Sequence, residues 1–129
     1  LDTNNLADLL DDIASDVKGV IGSLLTSTDG VNIASKMMEG YEGDIDRLSA
    51  MTASSFSIGK RISQENSQKD LHEVITSSSE GYVTLIGVGT NAILCCVASK
   101  QVIIGQLLVK MRSVAEKLNS FVETLISTT

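Results

Sequence analysis

At 129 residues, 43% apolar and 20% charged, the chain has the make-up of one globular domain able to bury roughly two thirds of its unfolded surface. A net charge of −6 with 3% aromatic residues argues against nucleic acid, which asks for a basic patch and stacking rings, and against an anionic membrane surface. No apolar run reaches the length of a bilayer span, no charged-then-apolar leader opens the chain, and no Asn-x-Ser/Thr acceptor is present, so the expected location is cytoplasmic. The first residue is Leu1 rather than Met, which reads as a trimmed chain or one part of a longer protein.

Asp2 to Asn5 offers N-cap candidates, and Leu6, Leu9, Leu10, Ile13 and Val17 follow at helical spacing. Asp8, Asp11, Asp12 and Asp16 take the other positions, so the first helix has an acidic, solvated outer face and ends at Gly19. Gly19 to Ser27 and Val31 to Lys36 read as strands joined through Thr28-Asp29-Gly30, because Asp-Gly between apolar runs marks a tight hairpin. Met37 to Gly43 is a loop. A second helix is expected over Asp44 to Glu65, with Asp44 near its cap and Asp46 complementing the positive end of the dipole. Leu48, Thr52, Ser55, Gly59 and Ile62 make its central stripe, with Ile45 and Phe56 on one shoulder and Met51 and Ile58 on the other. That arc is wider than one sheet contact requires, which fits either a deeply buried helix or one touching both its own sheet and a partner.

Gln64 to Lys69 is a polar linker. Leu71 to Ser77 alternates, with Leu71, Glu73 and Ile75 on one side and His72, Val74 and Thr76 on the other, as suits an edge strand. Tyr82 to Val88 and Ala92 to Ala98 are the next strands, turned at Gly89-Thr90-Asn91. The run Ala92 to Ala98 is apolar at every position, the pattern of a strand covered on both faces. A last helix places Ile104, Leu107, Leu108, Met111, Val114, Ala115, Leu118, Phe121, Val122 and Leu125 on one face. The order helix, hairpin, helix, three-stranded meander, helix makes an α/β sandwich over residues 1–129, with helix two on one face and helices one and three on the other.

Chemistry-bearing motifs are sparse. Cys95 and Cys96 are adjacent in a strand and point to opposite faces, without metal-ligand spacing, and read as buried unreactive thiols. His72 is the sole histidine and has no partner at triad or ligand spacing. Gly87-Val88-Gly89 is followed by a strand and explained by a turn, and Gly59-Lys60 lacks the leading strand of a phosphate-binding loop. Asp44 with Asp46 reads as a dipole complement, and Arg47, Arg61 and Arg112 as solvated side chains on polar faces. No catalytic residue, cofactor or metal site is expected.

Three stretches together look like the roadblock/dynein light-chain family: TSTDGVNIAS in the hairpin, DIDRLSAMTASSFSIGKRI in the small-residue helix, and ILCCVASKQVIIGQLLVKMRSVAEKL at the end, with Gly105 near the start of the last helix. The likeness spans about Leu6 to about Leu125 and is nearest the prokaryotic regulators of small GTPases. It implies a profilin-like fold, a five-stranded antiparallel sheet of order 2-1-5-4-3 with one helix on one face and two on the other. It further implies a homodimer built on helix two and the third strand, here Ile45, Met51, Phe56, Ile58, Gly59, Leu71, Glu73 and Ile75. The resemblance implies a non-enzymatic scaffold or adaptor that binds a Ras-like small GTPase and in some members activates it. The competing expectation is a ligand-sensing profilin-like or PAS-like domain, which requires a cavity with converging polar groups.

Overall fold

In a computed structural model, which describes residues 3–127 and the side-chain surroundings of residues 5–124, eight elements follow one another. They are α1 (Thr3–Asp16), β1 (Val20–Ser27), β2 (Asn32–Met37), α2 (Ile45–Glu65), β3 (Glu73–Ser78), β4 (Gly81–Val88), β5 (Ala92–Ser99) and α3 (Ile104–Ser127). The strands form one sheet of order β2-β1-β5-β4-β3, with every neighbouring pair antiparallel. The expected element order and sheet order are therefore observed. Asp2, the first N-cap candidate, lies outside the described residues, as does the side chain of Leu125.

Alternation along β5 divides its apolar run between two cores. Ala92, Leu94, Cys96 and Ala98 join Leu6, Leu10, Ile13, Leu107, Met111 and Leu118 in the larger core under α1 and α3. Ile93 and Cys95 join Leu24, Ala53, Phe56 and Leu85 in the smaller core under α2. Leu94, Cys95 and Cys96 are completely buried. A strand shielded on both sides has no water-facing parity, which is why polar residues are missing from it.

Local chemistry sets the joints. Gly30 adopts φ +86°, and its N–H donates to the Ser27 carbonyl at 3.0 Å while the Ser27 N–H donates to the Val31 carbonyl at 2.9 Å. A residue with a Cβ is strained at that φ, so the Asp-Gly signal has a direct structural cause. Asp44 caps α2 in an extended conformation, its carboxylate accepting from the Arg47 N–H at 3.1 Å. At the other end the Asn66 side-chain amide donates to the Ile62 carbonyl at 2.7 Å. The acidic face of α1 is exposed as expected, and Asp16 is held 2.6 Å from Lys110 of α3.

Three expectations need correction. The inward stripe of α2 is Ser49, Thr52, Ala53, Phe56 and Ser63, whereas Ser55 and Ile62, placed at the stripe's centre by the sequence, are exposed. Small hydroxyl and methyl side chains face the sheet and let the helix sit close to it, which displaces the bulkier residues outwards. The strand expected from Leu71 begins at Glu73. Ser67 and Lys69 take positive φ values of 57° and 66°, and Leu71 packs with Val74 in the core beneath α2, while Glu73 and Ile75 belong to the opposite face by alternation. Arg112 is not simply solvated. Its guanidinium reaches both carboxylate oxygens of Glu73, at 2.9 and 3.1 Å, and ties α3 to the first residue of the edge strand.

Candidate functional site

Among the described residues no group of three or more His, Cys, Asp or Glu side chains is gathered as a metal site would require, and no helix is long and apolar enough to cross a membrane. His72 is exposed in the lead-in to β3. Burial pushes the Cys95 thiol up to about 11, the Thr52 hydroxyl working weakly against it, and burial followed by the nearby Cys95 pushes Cys96 up further. Neutral, enclosed thiols are poor nucleophiles. Beneath α2 the Ser49 hydroxyl has no hydrogen-bond partner among the described residues, and the Thr52 hydroxyl has only the Cys95 thiol beside it. They face the close contact between helix and sheet.

A groove of about 720 Å³ opens where β3 stops short of the end of β4. Phe56 and Lys60 of α2 form one wall, Arg112 and Glu116 of α3 the other, and Asp70 and His72 close one end. Its charges are of both signs: Lys60 stacks over the Phe56 ring at 5.5 Å, and Arg112 is already bound to Glu73. The lining is mixed and open-sided, unlike the enclosed apolar pocket with a few converging polar groups that a small-molecule sensor uses.

The surface that does stand out is apolar. Met51, Ile58 and Ile62 on the outer shoulder of α2 are 51%, 57% and 56% exposed, and Ile75 on the edge strand is 42% exposed. Isolated exposed apolar residues need no explanation, but three on one shoulder of a single helix form a patch. Of the residues expected at an interface, Met51, Ile58 and Ile75 are thus open. Ile45 and Leu71 are half-buried against the core under α2, and Phe56 is 3% exposed within it. A Cβ on Gly59 would lie 2.9 Å from both Leu71 Cδ2 and Val74 Cγ2, so Gly59 serves the seat of α2 on its own sheet. Glu73 is half-buried and paired with Arg112. Ile62, the residue placed inward by the sequence, completes the outer patch. Its exposure follows once Ser49 and Ser63 are recognised as the sheet-facing positions.

Comparison with known proteins agrees with this architecture. The sequence profile of the Roadblock/LC7 domain matches residues 6–98. No protein with a curated description matches the sequence. Among solved structures, Myxococcus xanthus MglB superposes with a TM-score of 0.87 at 13% identity, covering 96% of this chain and 99% of that one. A structure of MglB with a tetrameric arrangement gives a TM-score of 0.86 at 16% identity, over 94% of this chain and 90% of that one. Acanthamoeba castellanii profilin IB gives 0.63 at 14% identity, over 88% and 96%. At such identities the structural likenesses speak to the fold, and the profile speaks to the family. The chain belongs to the Roadblock/LC7 domain family, on a profilin-like fold.

Proposed function

We propose that the chain, a single roadblock-like domain over residues 1–129, is a non-enzymatic homodimeric scaffold that binds and regulates a Ras-like small GTPase in the cytoplasm. The observation that carries this reading is the exposed apolar shoulder of α2 beside an open edge strand. A flat patch of that kind suits a folded protein partner, whereas a small substrate asks for a concave site. Family membership adds to it, since roadblock domains serve as platforms rather than as enzymes. The tetrameric arrangement described for one structurally similar MglB adds support for self-association.

Self-association occupies one part of the surface and leaves the rest for the GTPase. Met51, Ile58 and Ile62 together with the β3 edge at Ile75 form the proposed contact with a second copy; Ile45, Phe56, Gly59 and Leu71 support the α2 part from beneath, and Glu73 holds the start of the β3 edge to α3 on the sheet's other face. The test is retention of purified small GTPases from the same genome, loaded with GTP or GDP, on the immobilised chain, with GTP hydrolysis measured in parallel. The proposal expects at least one GTPase to be retained with a preference for one nucleotide state. Retention of none in either state rejects the GTPase partner while leaving the fold untouched.

A further inference from the structure

The two helical layers are fastened to the sheet unequally. On the side of α1 and α3, buried hydroxyls of the sheet bond across to the helices. Ser23 donates to the Leu10 carbonyl of α1 at 3.4 Å, and Thr84 to Met111 Sδ of α3 at 3.0 Å. Two ion pairs, Lys110 with Asp16 and Arg112 with Glu73, tie α3 to α1 and to β3. Among the described residues no ion pair joins α2 to another element. Its buried residues are Ser49, Thr52, Ala53, Phe56 and Ser63, more hydroxyl than hydrocarbon. Ser49 is completely buried with no hydrogen-bond partner, and Thr52, about one turn further on the same face, has only the Cys95 thiol. A hydroxyl left unpaired gives up its bonds to water when the helix seats, which weakens the seat. The exit from α2 adds to this, since Ser67 and Lys69 are held at positive φ, where a Cβ is crowded.

We propose that α2 opens from the sheet as a unit while α1 and α3 stay seated, and that this opening makes Cys95 a site of reversible modification by small disulfides. It stands apart from self-association, because the opening belongs to a single chain. Regions held by few buried apolar contacts open at lower free energy than the whole fold. Alternation along β5 gives the two thiols different covers: Cys95 lies in the core under α2, and Cys96 in the core under α1 and α3. Opening of α2 therefore uncovers Cys95 and leaves Cys96 enclosed. The uncovered thiol loses its proton to water, and the thiolate attacks one sulfur of the disulfide. A new S–S bond to Cys95 forms as the S–S bond of the small disulfide breaks. The other half leaves as a thiolate and takes up a proton, so the disulfide is itself the oxidant. With Thr52 beside Cys95, an adduct has no room beneath a seated α2. The modified chain keeps that helix raised until a free thiol reverses the exchange.

The probe is dithiodipyridine, a small aromatic disulfide, added to the reduced wild-type chain without denaturant. Fragment masses place the first adduct on one cysteine or the other, and the single-thiol chains Cys96→Ala and Cys95→Ala give the two rates separately. Cys95 is expected to react about tenfold faster than Cys96 or more, with a weaker dependence on urea. In the Cys95 adduct, amides of α2 should exchange hydrogen faster than those of α1 and α3. Val114→Ala, which loosens only the larger core, should speed Cys96 about tenfold and leave Cys95 nearly unchanged. Equal rates with the same urea dependence mean that both thiols are reached by global unfolding alone, which overturns the proposal. A first adduct on Cys96, or none on either thiol after long exposure, overturns it as well, as does an equal acceleration of both thiols by Val114→Ala.

Discussion

Gly59 sits where a side chain would collide with its own fold. Replacing it by leucine drives new atoms into Leu71 and Val74 and is expected to destabilise the chain by about 1–3 kcal/mol, measured as a lower urea midpoint at unchanged slope. His72→Ala, at an exposed position, should change the unfolding free energy by less than about 0.5 kcal/mol. The cysteines supply a pH prediction. Burial raises Cys95 from its ordinary 9.0 to about 11 and raises Cys96 as well. Well below pH 9 both thiols are neutral whether the chain is folded or not, and their burial carries no ionisation penalty. Above it the unfolded chain ionises first, so stability should fall as pH rises from about 9 towards 11. Replacing both residues with apolar side chains of similar size should flatten that alkaline decline in denaturation midpoints. Single residues were also where the sequence misled. The central stripe read for α2 was Leu48, Thr52, Ser55, Gly59 and Ile62, and of these only Thr52 is fully buried, alongside Ser49, Ala53, Phe56 and Ser63. Hydroxyl side chains have no signature distinguishing a close-packed inner face from a wet outer one.

At the scale of elements, β5 holds the two cores apart and together. Leu94→Ala removes buried volume from the larger core without relief from solvent, and should cost about 2–5 kcal/mol in equilibrium unfolding. The same truncation at Ile103, which is 61% exposed, should pass almost unnoticed. This contrast was legible beforehand, because a seven-residue apolar run leaves no face for water. The hairpin at Gly30 and the cap at Asp44 were legible for a similar reason: a positive φ and an unsatisfied helix N-terminus each demand particular residue types. The start of β3 was not. Leu71 fits the alternation, but the positive-φ residues Ser67 and Lys69 redirect the chain before it, and the Arg112–Glu73 pair ties the first strand residue to a helix thirty-nine positions away. Periodicity reports neither. Because the Arg112 side chain is 54% exposed, Arg112→Ala should cost no more than about 1 kcal/mol.

For the whole molecule, periodicity in the sequence supports a sheet with helices on both faces but does not by itself order the strands. The 2-1-5-4-3 arrangement came from the family resemblance, and the sheet has that order. The candidate surface was legible in part. An apolar arc too wide for one sheet contact pointed to α2, while its outward residues emerged only once the inner stripe was located. Three layers consume the larger apolar side chains of β1, β4, β5 and the inner faces of α1 and α3, and leave Met51, Ile58 and Ile62 uncovered. That surplus is the basis of the proposed contact with a second copy. Its most direct test is the molecular mass of the wild-type chain by sedimentation equilibrium, with Ile58→Glu as the comparison. The account predicts twice the 13.7 kDa chain mass for the wild type and dissociation of the variant at least tenfold easier. A wild-type mass of 13.7 kDa at high micromolar concentration would contradict it.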